Sequence, residues 1–287
     1  MRAWMLPERC LSIDAMALAE CALPELAADE VLIRVRAGSI NYRDQLIPKG
    51  LYFGGPIAAA GVPLSDGVGV VEAVGGDVSA LKVGDRVAGT FFQGWQDGPP
   101  TPLMGDALGA PPAKGMLADY VALPASGVVK LADTLSFDEA ATLPCAGVTA
   151  WNALMCGIRP IKADSTVLLI GTGGVSVLAL QIAKAAGATV IATSSSDAKL
   201  ARMQALGADA LINYRTTPDW GAEAARLAGG GVDHVVEVGG PGTLAQSIEA
   251  VRVGGHISLI GVLTGVSGEV PTAALFSRNI TVSGITV

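Results

Sequence analysis

The chain has 287 residues, enough for one large domain or for two. Hydrophobic residues make up 51% and charged residues only 16%, so the chain can bury a sizeable core and is not mainly disordered. The formal net charge of −7 argues against nucleic acids and anionic membranes, since both are bound by basic surfaces. We therefore expect no nucleic-acid partner and no membrane partner.

Cysteine usage and the N-terminus both indicate a cytoplasmic protein. The first ten residues, MRAWMLPERC, lack the apolar segment of a signal peptide. Two long uncharged runs, 140–158 and 165–183, contain a proline and a glycine-rich turn respectively, so we interpret them as buried core rather than membrane spans. The cysteines are too widely spaced to predict a disulfide framework. They are Cys10, Cys21, Cys145 and Cys156.

The first half of the chain consists of short β-forming runs divided by glycine and proline. Partial alternation predicts a strand at 31–37, and β-branched runs predict strands at 67–75 and 83–90. Residues 91–115 hold five prolines and five glycines, which predicts a long loop. This pattern indicates an irregular β-rich domain.

From about residue 146, strands alternate regularly with helices. Such alternation predicts βαβ units, and therefore a parallel sheet with helices on both faces. Six strands would form two mononucleotide-binding halves. The predicted strands are 166–171, 189–193, 210–214, 232–239, 256–262 and 279–287, and the predicted helices are 175–187, 197–207, 218–230 and 243–255.

A glycine-rich motif, GTGGVS, follows the first of these strands and opens the first helix. In that context Gly171 allows a tight turn, and Gly173 lets the backbone approach a pyrophosphate at the helix N-terminus. Ser176 replaces the third glycine of the usual motif. The motif alone could be an ordinary turn, but the βα units that follow it favour a dinucleotide site.

The residues after the second strand favour NADPH over NADH. NAD sites usually place an acidic residue here, whereas this strand ends in Thr193 and three serines, with no acid before Asp197. The serine hydroxyls, Lys199 and Tyr214 could together bind a phosphomonoester. The alternative is a serine N-cap beside a solvated lysine.

Together these features resemble the medium-chain dehydrogenase/reductase superfamily, in particular its zinc-independent branch near quinone oxidoreductases and NAD(P)-dependent alcohol dehydrogenases. The resemblance implies a GroES-like catalytic domain, residues 1–145, and a Rossmann domain, residues 146–287. Members continue past the sixth strand to complete the catalytic domain, so we expect this return segment to be missing here. The resemblance rests on SINYRDQL (39–46), VGDRV (83–87), AATLPCAGVTAWNAL (140–154), GTGGVS (171–176), TSSSDAKL (193–200), LGADALINY (206–214), GVDHVVEVGG (231–240) and GGHISLIGV (254–262).

The resemblance also implies which residues bind the cofactor. The segment from Asn41 to Asp44 and the threonine of CAGVTAW, Thr149, would border it. The full predicted set is Asn41, Asp44, Thr149, Gly171, Gly173, Gly174, Val175, Ser194, Ser195, Lys199, Tyr214, Gly239, Gly261 and Val262.

We expect no zinc. The positions of the three catalytic zinc ligands in zinc-dependent relatives fall on Asn41, Ser65 and Cys145, and one soft ligand cannot hold Zn²⁺. The segment that forms their structural zinc lobe has no cysteine here. We interpret Cys145 as a packing residue, and His234 and His256 as structural histidines.

Without a metal, the carbonyl must be polarised by hydrogen bonds, and hydride transfer depends mainly on positioning. We predict catalytic roles for Asn41, Tyr52 and Ser65, although Tyr52 could equally be a loop aromatic. The predicted function is NADPH-dependent hydride transfer to or from a small carbonyl, quinone or alcohol. The alternatives are an NADP(H)-binding sensor or structural protein with little turnover, a truncated enzyme, or a zinc alcohol dehydrogenase.

The last predicted strand, 279–287, is apolar and nearly uncharged, and it would lie at a sheet edge. Exposed edges of this kind pair with other strands unless they are covered. We therefore expect a homodimer that forms through this strand.

Overall fold

The structure is a computed structural model that describes residues 1–52, 55–101 and 107–287. Its contacts divide the chain into two units, Met1–Cys145 and Ala146–Val287. The predicted loop at 91–115 lies partly outside the described residues, because these omit 102–106. Within the described residues, no helix combines the length and the apolar character that a bilayer span requires.

The first unit is built on a five-stranded antiparallel sheet with the strand order β6-β3-β4-β5-β7, and β1 pairs separately with β2. Among the residues that the structure describes, short helices and 3₁₀ turns at Ile13–Ala15, Ile47–Lys49 and Ala125–Gly127 accompany the strands. The elements are β1 (Arg2–Met5), β2 (Ala17–Glu20), β3 (Glu30–Ser39), α1 (Tyr42–Leu46), β4 (Asp66–Val74), β5 (Arg86–Gly89), β6 (Tyr120–Pro124), β7 (Val128–Lys130) and α2 (Phe137–Ala141).

Alternate residues of these strands form the core of the first unit. Ile33 of β3 and Val87 of β5 are fully buried in one apolar cluster. Strands β3 and β4 approach each other closely where they pair. A Cβ on Gly69 would lie 2.1 Å from the Arg34 carbonyl oxygen, so this close approach requires glycine. The strand predicted at 83–90 spans only Arg86–Gly89, because Gly84 has a φ of +90° in the preceding turn.

The second unit contains a six-stranded, wholly parallel sheet with the order β10-β9-β8-β11-β12-β13. This confirms the predicted doubly wound arrangement, in which the strand order reverses between β8 and β11. The π-helical turns Leu143–Gly147 and Asn152–Cys156 flank its first helix. The elements are α3 (Val148–Trp151), β8 (Thr166–Leu169), α4 (Gly174–Ala185), β9 (Thr189–Ser194), α5 (Asp197–Ala205), β10 (Ala210–Asn213), α6 (Trp220–Leu227), β11 (Val232–Glu237), α7 (Pro241–Ala250), β12 (Val251–Leu259), α8 (Thr272–Ser277) and β13 (Thr281–Gly284).

Both faces of the central strands β8, β9 and β11 are buried, which explains why these strands are mostly apolar. Leu169 of β8 packs in one cluster with Leu180 of α4, whereas the neighbouring Leu168 packs in a second cluster with Trp220 of α6 and Ile248 of α7. Successive residues of a strand point to opposite faces, so each face has its own layer of helices.

Several predicted boundaries are wrong in the second unit. Helix α7 ends at Ala250 rather than at 255, because Val251 already pairs with Val232 as the first residue of β12. The final strand is Thr281–Gly284 rather than 279–287, and α8 was not predicted. Strand β13 does lie at the edge of the sheet.

Candidate functional site

The glycine-rich turn connects β8 to α4 in the second unit. Gly171 has a φ of +76°, a conformation that favours glycine, and Gly173 is the N-cap of α4. A Cβ on either residue would meet nothing within 4 Å, so the backbone of the turn is open to a ligand. Gly174 and Val175 begin the helix, whose first backbone N–H groups have no partner within the helix and suit an anion.

Two hydroxyl groups hold this turn in place. Thr193 Oγ1 accepts a hydrogen bond from the Gly171 N–H at 3.1 Å and donates to the Leu169 carbonyl at 3.2 Å. Ser176 is buried, and its Oγ donates to the Ile170 carbonyl at 2.9 Å. The serine that replaces the third motif glycine therefore ties the first turn of α4 to the end of β8.

Polar side chains meet at the carboxyl ends of β9 and β10. Ser194 is 4% exposed, and its Oγ accepts from the Ser196 N–H at 3.3 Å. The Tyr214 N–H donates to the Ser194 carbonyl at 3.0 Å, which places Tyr214 beside the serine run. Ser195 is half-buried and the Lys199 side chain is exposed, and neither forms a side-chain hydrogen bond to any residue that the structure describes.

Part of this serine run has the alternative role of a helix cap. Ser196 is the N-cap of α5 and accepts from the Lys199 N–H. The first acidic residue, Asp197, accepts from Asn213 Nδ2 at 2.6 Å through its Oδ1. Among the cofactor-binding residues predicted here, Ser195, Lys199 and Tyr214 have side chains with no hydrogen-bond partner in the described part of the chain.

The loops after β11 and β12 lie at the same carboxyl ends of the parallel strands, on the other half of the sheet. The predicted residues Gly239, Gly261 and Val262 lie here. A Cβ on Gly261 would lie 1.9 Å from the Val238 carbonyl oxygen, so the two loops pack backbone against backbone. Sequence reasoning missed Glu237, the last residue of β11, whose buried carboxylate organises these loops.

In the first unit, Asn41 and Ser65 lie in one polar cluster around the carboxylate of Asp66. Ser65 and Asp66 are both 0% exposed. Ser65 Oγ donates to Asp66 Oδ1 at 3.0 Å, and the Cys145 N–H donates to Asp66 Oδ2 at 3.2 Å. Asn41 Nδ2 is buried and forms no hydrogen bond of regular geometry in the described ranges, although Asn41 is close enough to the Asp66 carboxylate to lower its pKa. An amide nitrogen carries two N–H donors, so one of them can serve a ligand oxygen even when the other points to Asp66.

Burial dominates the electrostatics of this cluster. Burial raises the pKa of Asp66 to about 6, against the opposing effect of Asn41, Ser65 and the Cys145 N–H. Burial together with the neighbouring Asp66 carboxylate raises the pKa of the Cys145 thiol to about 12. Burial also raises the pKa of Asp44, which accepts from the Asn41 N–H at 2.7 Å and so fixes the start of α1.

Tyr52 packs beside this cluster through Arg43. The Arg43 guanidinium carbon lies 4.8 Å from the centroid of the Tyr52 ring and 4.7 Å from that of Phe91. Arg43 is buried, and its Nη1 donates to the Leu108 carbonyl at 2.7 Å. Tyr52 is therefore part of a cation–π sandwich that holds the loop after α1.

The remaining predicted residues lie in the second unit. Thr149 is in α3 and is 3% exposed. The rings of His234 and His256 pack edge to face with centroids 4.6 Å apart, and their Nε2 atoms contact the hydroxyls of Ser258 and Ser283 respectively. Burial lowers the pKa of His234 to about 3, helped by His256, so its imidazole is neutral at physiological pH.

Comparison with known proteins identifies the family. An alcohol dehydrogenase GroES-like domain model matches residues 27–133, and a zinc-binding dehydrogenase model matches residues 174–287. A zinc-type alcohol dehydrogenase-like protein of Schizosaccharomyces pombe is 43% identical over 96% of this chain and 81% of that protein. The chain belongs to the medium-chain dehydrogenase/reductase superfamily.

Solved structures of this superfamily share the fold along the whole chain. An NAD-dependent alcohol dehydrogenase is 35% identical, with a TM-score of 0.87 over 100% of this chain and 85% of that chain. A mycobacterial protein, Rv1454c, solved with NADPH, is 27% identical, with a TM-score of 0.81 over 99% of this chain and 81% of that chain. The chain is thus an oxidoreductase related to alcohol dehydrogenases and quinone oxidoreductases, as the resemblance implied.

One of the matched domain models is named for zinc binding, but the donor atoms at the three candidate positions do not suit a catalytic Zn²⁺. A catalytic Zn²⁺ takes three protein ligands, typically thiolate, imidazole or carboxylate. Asn41 offers an amide and the Ser65 hydroxyl is bound to Asp66, so Cys145 is the one typical zinc ligand among the three positions. Both oxygens of Asp66 already accept hydrogen bonds. Throughout the described ranges, no cluster of three or more His, Cys, Asp or Glu side chains could hold a metal.

Proposed function

We propose that the chain is an NADPH-dependent oxidoreductase that transfers hydride between nicotinamide and a small carbonyl, quinone or alcohol without using zinc. The observation that carries this proposal is the open glycine turn at Gly171–Gly174. It starts α4 at the point where the strand order reverses, which is where a doubly wound sheet binds its ligand. Residues 146–287 would bind the dinucleotide, and residues 1–145 would supply the groups that act on the substrate.

The preference for NADPH rests on the side chains after β9 and β10 that form no hydrogen bond among the described residues. An ammonium, a hydroxyl and a phenol at Lys199, Ser195 and Tyr214 suit a 2′-phosphate, whereas a ribose hydroxyl would call for a carboxylate at the strand end. Asp197, the first acid after β9 in the sequence, is engaged by Asn213. The NAD-dependent and NADPH-bound relatives support a nicotinamide cofactor, and these side chains favour the phosphorylated form.

The proposed chemistry in the first unit relies on hydrogen bonding. Nicotinamide, when bound, would supply or accept the hydride, and the proton that balances the reaction would be exchanged with a side chain or water. Asn41 Nδ2 would donate to the substrate oxygen, since this buried amide carries two N–H groups and forms no hydrogen bond of regular geometry among the described residues. Ser65 is fully buried, so its role would be to hold Asp66 rather than to touch the substrate. Tyr52 would shape the site through its contact with Arg43.

We also propose that the chain forms a homodimer. Strand β13 lies at the edge of the parallel sheet, and continuation of the sheet through a second copy would cover it. Size-exclusion chromatography with light scattering would give twice the chain mass. A monomer at high protein concentration would contradict the proposal.

The cofactor proposal is tested with Lys199→Ala and a matched control, Lys162→Ala. Lys162 is an exposed lysine that precedes β8, so its variant removes the same charge near the amino ends of the strands, away from the candidate site at their carboxyl ends. A charge-assisted bond to phosphate is worth roughly 1.5 kcal/mol or more, so Lys199→Ala should weaken NADPH binding about tenfold and leave NADH binding unchanged. Equal effects on the two cofactors, or an equal effect of Lys162→Ala, would contradict the 2′-phosphate site.

Catalysis is tested with a panel of quinones and aldehydes under NADPH oxidation, in the presence and absence of a zinc chelator. The proposal predicts turnover that the chelator does not change and that Asn41→Ala lowers, with a larger effect on kcat than on the KM for NADPH. Tight NADPH binding without turnover of any substrate would instead favour the sensor or structural role. Loss of turnover with the chelator would contradict zinc independence.

A further inference from the structure

Glu237 is a fully buried carboxylate that has four hydrogen-bond donors and no cationic partner among the described residues. It is 0% exposed at the end of β11. Its Oε1 accepts from the N–H groups of Gly239 at 2.7 Å and Gly240 at 3.1 Å, and from Thr243 Oγ1 at 2.6 Å. Its Oε2 accepts from Ser247 Oγ. A polar side chain is buried at low cost only when such bonds replace its hydration, and here they replace it at both oxygens.

The side chain determines the path of the loop that follows β11. Gly240 has a φ of +89°, and the chain turns there to begin α7 at Pro241. Two N–H groups of that turn and one hydroxyl from the first turn of α7 converge on a single carboxylate oxygen. The conformation of the loop therefore depends on Glu237 rather than on regular secondary structure.

The backbone of the same residue holds the loop after β12. The Glu237 carbonyl accepts from the N–H groups of Ile260 at 2.8 Å and Gly261 at 3.3 Å. Thr264 then joins the two loops, since its Oγ1 donates to the Gly239 carbonyl at 2.8 Å and accepts from the Gly242 N–H at 2.8 Å. Glu237 thus organises both loops at the carboxyl ends of β11 and β12.

These two loops occupy a defined place in the sheet. Each half of a doubly wound sheet binds one mononucleotide, at the carboxyl ends of its strands. The half formed by β8, β9 and β10 holds the glycine turn and the candidate 2′-phosphate groups, and so takes the adenosine side. The loops after β11 and β12 belong to the other half, which takes the nicotinamide ribose.

We propose that Glu237 is a positioning residue that preforms the nicotinamide–ribose half of the cofactor site without touching the cofactor. This inference rests on the proposed function, because it assumes a nicotinamide dinucleotide. Glu237 would affect binding of the nicotinamide half of the cofactor alone. The adenosine half would bind equally well without it.

The experiment compares NADPH with adenosine 2′,5′-bisphosphate, a fragment that carries only the adenosine half. Both are titrated calorimetrically into the wild-type chain, Glu237→Ala and Glu237→Gln. Glu237→Ala should weaken NADPH about tenfold or more by misplacing the loops, and should leave the fragment within about twofold of wild type. Glu237→Gln keeps one oxygen that can accept from the loop N–H groups, so it should restore most of the NADPH affinity.

Two further variants test whether the effect is specific to the Glu237 network. Glu249→Ala removes an exposed carboxylate from α7 and should change neither affinity. Thr243→Val removes one donor to Oε1 while the carboxylate stays, and should weaken NADPH selectively but less than Glu237→Ala does. If Glu237→Ala does not fold, this variant carries the test.

The outcomes separate failure of the inference from failure of the proposed function. Equal weakening of NADPH and the fragment, or no weakening of either, would overturn the positioning role while the cofactor assignment stands. A wild-type chain that binds neither ligand would overturn the proposed function, and the inference with it. Selective loss of NADPH affinity, with recovery in Glu237→Gln, supports the inference.

Discussion

The buried Asp66 carboxylate predicts a pH dependence of stability with a definite sign. Its pKa rises from the ordinary value of 3.8 to about 6 in the folded chain, because burial penalises the charged form. The folded state therefore binds the proton more tightly than the unfolded state, and the free energy of unfolding falls as pH rises from about 4 through 6. At about 1.4 kcal/mol per pKa unit, Asp66 costs on the order of 3 kcal/mol of stability at neutral pH compared with acid pH.

The test is urea unfolding of the wild-type chain and of Asp66→Asn across this pH range. Asparagine keeps an acceptor for Ser65 Oγ and carries no charge. The variant should gain stability relative to wild type as pH increases, with most of the change below about pH 6 and a plateau above it. Asp119→Asn is the control, because hydrogen bonds from Arg2 lower the pKa of Asp119 and its contribution has the opposite sign. A constant difference between Asp66→Asn and wild type at every pH would refute the reasoning.

Three further predictions concern a thiol, a close contact and a helix cap. The exposed Cys156 should be alkylated by iodoacetamide near neutral pH and Cys145 should not, because the Cys145 pKa is about 12; mass spectrometry showing Cys145 labelled first would contradict this. Gly261→Ala should lower the thermal midpoint or abolish folding, since its Cβ would lie 1.9 Å from the Val238 carbonyl oxygen; an unchanged midpoint would contradict that contact. Ser136→Ala should cost about 1 kcal/mol in urea unfolding by removing the N-cap of α2, and no loss would show that the cap contributes nothing.

The second unit could be predicted well from sequence because its signals are local. Each strand is a short apolar run and each helix has its own stop, so the alternation and the glycine turn are visible without tertiary contacts. The boundary between α7 and β12 was wrong because Val251 follows the helix without a break, and only its pairing with Val232 assigns it to the sheet.

The first unit and the buried carboxylates were harder to predict. Strands β1, β2, β6 and β7 are short, and they depend on partners distant in sequence, such as the pairing of β3 with β6. Asp66 and Glu237 look like ordinary strand-end acids in the sequence. Their burial and the hydrogen-bond donors that surround them arise only in the folded chain. In the sequence, these carboxylates are marked only as acids within otherwise apolar runs.

The proposed function requires this member of the superfamily to bind NADPH at its glycine turn. The most direct measurement is an equilibrium titration of the purified chain with NADPH and then with NADH, followed by nicotinamide fluorescence. We expect saturable binding of both cofactors, with tighter binding of NADPH. Tighter binding of NADH would contradict the assignment of Ser195, Lys199 and Tyr214, and no binding of either cofactor would contradict the function proposed for the chain.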